Sequence, residues 1–508
     1  MKKRLLNVLL VVGSVTLCTA VAEFVVRWLD VAERMDPAVR HLDEIARAPG
    51  VERAWFFADP PPLSNRRPVP PQWRELVRQV EESGITEGTR RDDMFKAWNA
   101  EFVGDPCRHR YLCGAPGRLF VYDPPLGEKR PPYRFLPDTT SPTGLTTNDY
   151  GFRGPPVPFE RRPKTVRIAF IGASTTVGDH FHPYSYPEFV GNWLNLWARA
   201  HKIEVTFEVL NAGRESITST DNITVVREEV LPLKPDLLVY YEGANQFDLS
   251  TIATGLPAMP TGLLLPPGAP CPAQPAVAEG GGKSEAGWWV SLGHRLGEEF
   301  ALVRRIEALV AARDLPADGG EWPKIDVQRV WPAGLDERDP NIGRPDLPIT
   351  LSTVVHDLDT IRGAAEQSGA ELVLASFFWL VKDGMILDPI RHRTILEYLN
   401  GYAPFRYRDM ERMAAFQNRV FAKYASVRKL AFIDIAKHTP FDPDLFVDGI
   451  HTTYAGERLR AWIFFQQLLP IVESHLKSGA WPRQVAPSDV LPPIFKARPI
   501  TFDCKRPG

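Results

Sequence analysis

The chain has 508 residues, more than one domain usually holds, so a catalytic or binding domain with insertions or an accessory region is expected. Its 60 Lys+Arg against 62 Asp+Glu leave a net charge of −2, without the basic footprint of a nucleic-acid binder, and nucleic acid is excluded as the expected partner. The 48 Pro gather outside the stretches with helix or strand patterning, which predicts long ordered loops.

Residues 1–30 read as an N-terminal membrane anchor or signal segment. Lys2, Lys3 and Arg4 precede a largely apolar run from Leu5 to Val26, interrupted by Asn7 and Glu23, and about 20 apolar residues suffice to span a bilayer. Basic residues ahead of the span keep the N-terminus in the cytoplasm and place the rest of the chain outside, periplasmic or on the cell surface. The alternative is a cleaved signal and a secreted protein, because Ala20-Val21-Ala22 fits a small-residue cleavage site. Cys18 lies within the apolar run, and Val15-Thr16-Leu17 before it lacks the small residue of a lipidation site. The other four cysteines, Cys107, Cys113, Cys271 and Cys504, make disulfides plausible in an oxidising compartment, with Cys107 and Cys113 the closest pair; four unpaired thiols are the alternative. No Cys/His spacing resembles a zinc site, so no metal is expected.

Residues 31–144 form a Pro-rich accessory region with short helical patterns such as Gln72 to Ser83 and no catalytic constellation. The texture changes near residue 145. Val166 to Ile171 is a β-branched apolar run that reads as a buried strand; Phe189, Trp193 and Trp197 then recur at helical spacing. Strands at Val205 to Leu210 and Leu237 to Tyr241 follow, separated by a helical stretch through Val230, and this alternation is the doubly wound pattern. It breaks over an insertion at about 251–346 that includes the Pro/Ala/Gly-rich stretch Leu263 to Gly282 and a helix-like segment from Glu298 to Arg313. It resumes with a helix near Leu351 to Gln367, a strand at Leu372 to Ser376, a helix near Asp409 to Tyr424, a strand at Leu430 to Ile435 and a last helix from after Thr453 to near Gly479. The main domain therefore spans 145–479, and 480–508 reads as a Pro-rich tail.

In an open parallel sheet, ligands bind outside the carboxyl ends of the strands, and the polar residues of interest fall there. Ser174 follows the first strand in Ile171-Gly172-Ala173-Ser174, where Gly172 allows a tight turn. Gly213 ends the second strand with a backbone N–H, and Asn245 ends the third with a side-chain amide; both suit an oxyanion hole. Near the end of the chain, Asp448-Gly449-Ile450-His451 supplies a base and an orienting carboxylate for the serine. Each has a plainer reading: a helix N-cap for Ser174, a strand-end bend for Gly213, a turn residue for Asn245 and a structural loop pair for Asp448 and His451. Asp179, His180 and His182 cluster near Ser174, where metal binding is the alternative to the favoured reading of a surface loop. Phe377, Phe378 and Trp379 follow the fourth strand, where they line a pocket or pack the core. Asn222-Ile223-Thr224 matches a glycosylation sequon.

These blocks, in this order, resemble the SGNH (GDSL-like) hydrolases, and the stretch Asn148 to Gly154 resembles the lead-in of membrane-anchored bacterial members. The resemblance covers roughly 145–478. It implies a three-layer α/β/α, flavodoxin-like parallel sheet, with Ser174 as nucleophile, Asp448 and His451 completing the triad, and Ser174, Gly213 and Asn245 forming the oxyanion hole. The chain departs from the usual pattern in having Ala173 before the serine and Gln246 after the asparagine. An α/β-hydrolase is disfavoured, since Ser174 lacks a Gly-x-Ser-x-Gly setting. The expected function is a serine esterase or deacylase acting without a cofactor on an extracytoplasmic ester such as an O-acylated glycan or lipid. Two alternatives use the same fold: an O-acyltransferase modifying an envelope polysaccharide with the same triad, and a catalytically silent glycan-binding or assembly protein. The insertion leaves the sheet directly after Asn245 and is expected to cover part of the site.

Overall fold

The computed structural model describes residues 2–32, 36–63, 100–105, 108, 116–122, 131–141, 144–254, 302–303, 306, 328–388, 391–485 and 497–503. Helix α1 (Lys2–Ala32) contains the window Leu10–Arg27, long and apolar enough to cross a membrane, in which Glu23 Oε2 accepts the Leu302 N–H at 2.8 Å. Helix α2 (Pro37–His41) is started by Asp36, whose side chain accepts the Ala38 N–H at 2.9 Å. Strands β1 (Ala100–Val103), β2 (Pro116–Tyr122) and β3 (Tyr133–Phe135) follow.

The doubly wound part begins with β4 (Thr165–Gly172), α3 (Ser174–Val177), α4 (Tyr186–Ala200), β5 (Thr206–Asn211), α5 (Ser219–Thr224) and β6 (Leu237–Tyr241). Two short strands, β7 (Ala253–Thr254) and β8 (Gln328–Arg329), pair antiparallel and bring the two ends of the insertion together. The main pattern resumes with α6 (Leu351–Ser368), β9 (Glu371–Ala375), α7 (Arg393–Asn400), α8 (Tyr407–Arg428), β10 (Ala431–Ile433), α9 (Ile435–His438) and α10 (Tyr454–Ser478). Strand β11 (Ala497–Asp503) comes last.

The central sheet has five strands in the order β10-β9-β6-β4-β5, every pair parallel. Every residue of β4 is buried, as a strand covered on both faces requires, and its sequence accordingly reads as an apolar run without alternation. Helices α4 and α10 pack on one face, and α5, α6 and α8 pack with one another and with β9 on the other. Aromatic side chains dominate the first of these layers: the Tyr186 and Phe464 rings stack at 4.8 Å, Trp193 meets Trp462 edge-on at 5.0 Å, and Phe170 of β4 meets Phe464 at 5.6 Å. This is the three-layer, flavodoxin-like arrangement expected of an SGNH/GDSL-like hydrolase. The strand order reverses between β4 and β6, so the crevice for a ligand opens where those two strands end.

A second sheet, β11-β2-β1-β3, lies outside the doubly wound part. It departs from the sequence reading twice, because strands occupy the region read as merely Pro-rich, and the stretch read as a tail supplies β11. Pro499 disguised the latter; as an edge strand, β11 has a side free of ladder bonds and tolerates a proline. The segment before it is also fastened, Arg483 Nε donating to Asp236 Oδ1 at 3.0 Å. The helical pattern at Gln72 to Ser83, the stretch Leu263 to Gly282 and the cysteines Cys107, Cys113, Cys271 and Cys504 lie outside the described residues, as does most of Glu298 to Arg313. Cys18 is an exposed thiol on α1.

Gly172 closes β4 where no side chain fits: a Cβ there would press into the Tyr241 carbonyl oxygen and the Thr176 hydroxyl. Gly172→Ala should therefore force β4 and β6 apart and lower the unfolding free energy by about 1–3 kcal/mol, the usual cost of overpacking. Denaturant titration checks this, and an unchanged midpoint would contradict it.

Candidate active site

Ser174 is the first residue of α3, directly beyond the end of β4, and is nearly buried. The Asp448 to His451 stretch reaches it from the other end of the chain as a tight loop. Phe446 bridges to Thr452, and the Val447 N–H donates to the His451 carbonyl at 2.8 Å. Thr453 then accepts the Gly456 N–H at 3.3 Å and starts α10. Gly449 has no room for a side chain, since a Cβ would come 2.8 Å from the Tyr398 ring of α7.

Within this arrangement His451 Nε2 lies 2.8 Å from Ser174 Oγ, and His451 Nδ1 lies 2.7 Å from Asp448 Oδ2. The other carboxylate oxygen, Asp448 Oδ1, accepts the backbone N–H groups of Ile450 and His451, both at 2.8 Å. Burial works to raise the Asp448 pKa, but the neighbouring His451 and these N–H donors outweigh it and hold the carboxyl below its ordinary range. An ionised Asp448 is acceptor only, so Nδ1 carries the proton and Nε2 is left to accept from the serine hydroxyl. The three residues singled out for the triad are thus in direct contact.

Gly213 and Asn245 stand at the ends of the strands flanking β4. Gly213 lies against α3, where a Cβ would come 2.7 Å from Val177 N, and its own N–H donates to Asn211 Oδ1 at 3.1 Å. Asn245 is exposed, and its Nδ2 donates to the Ile217 carbonyl at 2.8 Å. One amide proton satisfied in this way leaves a second for a ligand.

Several charged residues that the sequence reading gave no role hold the loops together. Arg460 of α10 is buried and donates to the Thr175 carbonyl at 3.1 Å and to the Ile450 carbonyl at 3.2 Å, the residues beside Ser174 and His451. Glu457, one turn earlier, accepts from Thr452 Oγ1 at 2.8 Å and from the Tyr186 N–H at 2.9 Å, and sits 3.6 Å from Arg460. Their signal in the sequence is a Glu and an Arg three residues apart in a helix whose neighbours Leu459, Ala461 and Trp462 are all buried. Arg153 braces the far side of α3, donating to the carbonyls of Val177 at 2.9 Å, Asp179 at 2.8 Å and His182 at 2.7 Å. The turn that presents it is closed by Asn148 Oδ1, which accepts the N–H groups of Tyr150 at 3.0 Å and Phe152 at 3.1 Å.

Glu242, at the end of β6, is fully buried. Its Oε1 accepts the N–H groups of Ala244 at 2.9 Å and Asn245 at 2.8 Å, while Oε2 has no hydrogen-bond partner among the described residues. Burial raises its pKa to about 7 against the opposing pull of the Asn245, Ala244 and Gly243 N–H groups.

His180 pairs with Glu215 at 3.1 Å, and burial lowers the pKa of His182, so the cluster with Asp179 is folded inward more than a surface loop would be. Among the described residues no group of three or more His, Cys, Asp or Glu is placed to hold a metal ion. Phe377 stacks on Tyr241 at 5.1 Å, and Trp379 packs tilted against Phe247 at 4.4 Å; both are buried in the core.

No family model matches the chain, and no curated protein matches it by sequence. Among solved structures it is similar to a GDSL-like lipase from Bacteroides thetaiotaomicron, with TM-score 0.27, 13% identity and coverage of 63% of this chain and 92% of that one. It is also similar to a variant of an acetyl xylan esterase from Geobacillus stearothermophilus, with TM-score 0.31, 14% identity and coverage of 60% and 94%. A lipase/acylhydrolase from Enterococcus faecalis gives TM-score 0.30, 14% identity and coverage of 60% and 96%. The strand order by itself defines a doubly wound, flavodoxin-like α/β fold.

Arg460→Met would leave Glu457 buried without its cation and two carbonyls without their donor. A loss of about 3–5 kcal/mol is expected, with part of it recovered when Glu457→Gln is added. Chemical denaturation of both variants checks this, and wild-type stability of Arg460→Met would contradict it. Glu242 makes a second prediction. Its folded pKa is raised from 4.5 to about 7, so the folded state binds this proton more tightly than the unfolded one. The stability it contributes is complete below pH 4.5 and is lost as pH rises through 7, a change of about 3 kcal/mol. Glu242→Gln, which cannot ionise, should melt at a higher temperature than wild type at pH 8, the gap closing as the solution is acidified. A gap that widens toward low pH would refute this.

Proposed function

We propose that the protein is a serine esterase of acyl-hydrolase type. Ser174 Oγ attacks the ester carbonyl carbon as His451 Nε2 takes its proton. Asp448 fixes the imidazole tautomer and stabilises the imidazolium. The carbonyl oxygen, now negative, takes hydrogen bonds from the Gly213 N–H and the Asn245 side-chain amide. A charged oxygen is a stronger acceptor than the neutral amide oxygen of Asn211 and competes with it for the Gly213 N–H. Collapse of the intermediate expels the alcohol, protonated by His451, and leaves an acyl-serine. Water then attacks that ester with His451 as base, and the acid is released. The observation that carries this reading is the relay from Ser174 Oγ through His451 to Asp448, with contacts of 2.8 and 2.7 Å.

The setting is extracytoplasmic: α1 holds the chain in a membrane with the catalytic domain outside, and the substrate is an ester of an envelope glycan or lipid. The apolar Leu10–Arg27 window, preceded by Lys2, Lys3 and Arg4, supports this.

A fluorophosphonate added to the full-length protein in detergent should leave one adduct at Ser174, located by mass spectrometry. It should be missing in Ser174→Ala and form roughly 10² to 10⁴ times more slowly in His451→Ala, the usual worth of a general base. An adduct at another serine, or an undiminished rate without His451, would count against the reading.

A further inference from the structure

Among the described residues beyond Arg27, the first fastening point is α2, and it is fastened to the catalytic loop. Arg40 donates to Asp444 Oδ2 at 2.8 Å and lies 3.3 Å from Asp442 Oδ2, while His41 Nε2 sits 2.8 Å from Asp442 Oδ2. Asp444 is held from its other side by Arg391 at 2.6 Å and His392 at 3.1 Å. This ionic knot lies on the run of chain that enters the Asp448 to His451 loop.

Chain length limits how far the knot can be from a bilayer crossed by Leu10–Arg27. The helical residues from Arg27 to Ala32 rise about 7 Å, and the four steps to Asp36 reach at most about 14 Å. The resulting tether of roughly 21 Å is less than half the roughly 50 Å breadth of a domain this size. The side of the domain bearing α2 and the knot is therefore the side turned to the membrane.

That side exposes apolar groups around the candidate site. Ile386 is 92% exposed, Phe441 is 40% and Val447 is 38%. They belong to two segments in contact: the Lys382 ammonium lies 5.8 Å from the centre of the Phe441 ring, the Met385 N–H donates to the Lys382 carbonyl at 3.1 Å, and the Leu380 N–H donates to the Gly449 carbonyl at 2.8 Å. Phe441 adjoins Asp442 of the knot, and Val447 adjoins Asp448. Apolar side chains exposed together beside a lysine suit the boundary between acyl chains and headgroups.

We propose that the turn from Lys382 to Ile386 and the loop from Phe441 to Val447 form a bilayer-contacting rim, through which the site takes a lipid-borne ester from the membrane that holds α1. The proposal rests on the esterase reading and on an uncleaved α1, and its test separates the failures. The full-length protein is reconstituted into phosphatidylethanolamine/phosphatidylglycerol vesicles containing a fluorogenic long-chain ester, and p-nitrophenyl acetate serves as the soluble comparison. The double variant Ile386→Asp/Phe441→Asp should lose about tenfold or more on the vesicle ester, because each added carboxylate is repelled by anionic headgroups. Its rate on the soluble ester and its labelling at Ser174 should match wild type. Ile386→Asp alone, at a position open to solvent, serves where the double variant does not fold. Undiminished vesicle hydrolysis by the variant, equal losses on both esters, or a wild-type protein that hydrolyses the soluble ester but not the vesicle ester would overturn the rim. Failure of the wild type to label at Ser174 would instead overturn the esterase reading. Independently of turnover, amides of residues 382–387 and 440–447 should exchange hydrogen more slowly in vesicles than in detergent, and equal exchange would overturn the proposal.

Discussion

Two side chains 277 residues apart in sequence, Ser174 and His451, sit within a hydrogen bond of one another, and everything else at this end of the molecule serves that contact. Helix α10 makes it possible. Its aromatic face packs Phe464 against Phe170 of β4 and Tyr186 of α4, which sets the helix on the sheet. Its first turns carry Glu457 and Arg460, which hold the backbone on both sides of the contact. A salt bridge this deeply buried gains little net stability over an apolar pair of the same volume. Its value lies in geometry: Arg460 ties the serine turn and the histidine loop to one rigid body, as a reactive constellation requires of its support.

The site also shows how one sheet edge treats two carboxyl groups in opposite ways. Asp448 receives N–H donors on one oxygen and the imidazole on the other, so its charge is stabilised despite burial. Glu242 receives N–H donors on one oxygen only, and burial dominates. In the proposed mechanism, a second fixed anion there would favour the imidazolium form of His451 and oppose its role as base. Keeping Glu242 partly protonated limits that effect while its Oε1 still shapes the turn that presents Asn245.

Much of this was legible in the sequence. Strands β4, β6 and β9 announce themselves as short, mostly apolar runs because the centre of a parallel sheet is covered on both faces. Helix α10 is bounded by Thr453 as N-cap and Gly479 in the left-handed region, both readable signals. Ser174, Asp448 and His451 stand out through their position at strand ends and their spacing. The small sheet was not legible: β11 pairs with β2 across almost the whole main domain, and nothing local marks such a partner. Arg460 and Glu457 escaped for a related reason. Two of the groups Arg460 holds are backbone carbonyls, 10 and 285 residues away, and carbonyls carry no sequence signature.

The central claim is that Ser174 and His451 act as one catalytic unit, and a double-mutant comparison on a soluble ester addresses it most directly. Once the nucleophile is gone the base has nothing to activate, so Ser174→Ala/His451→Ala should hydrolyse the ester no more slowly than Ser174→Ala alone. Losses that multiply, with the double variant slower by the product of the two single effects, would mean that the residues act independently and would contradict the mechanism.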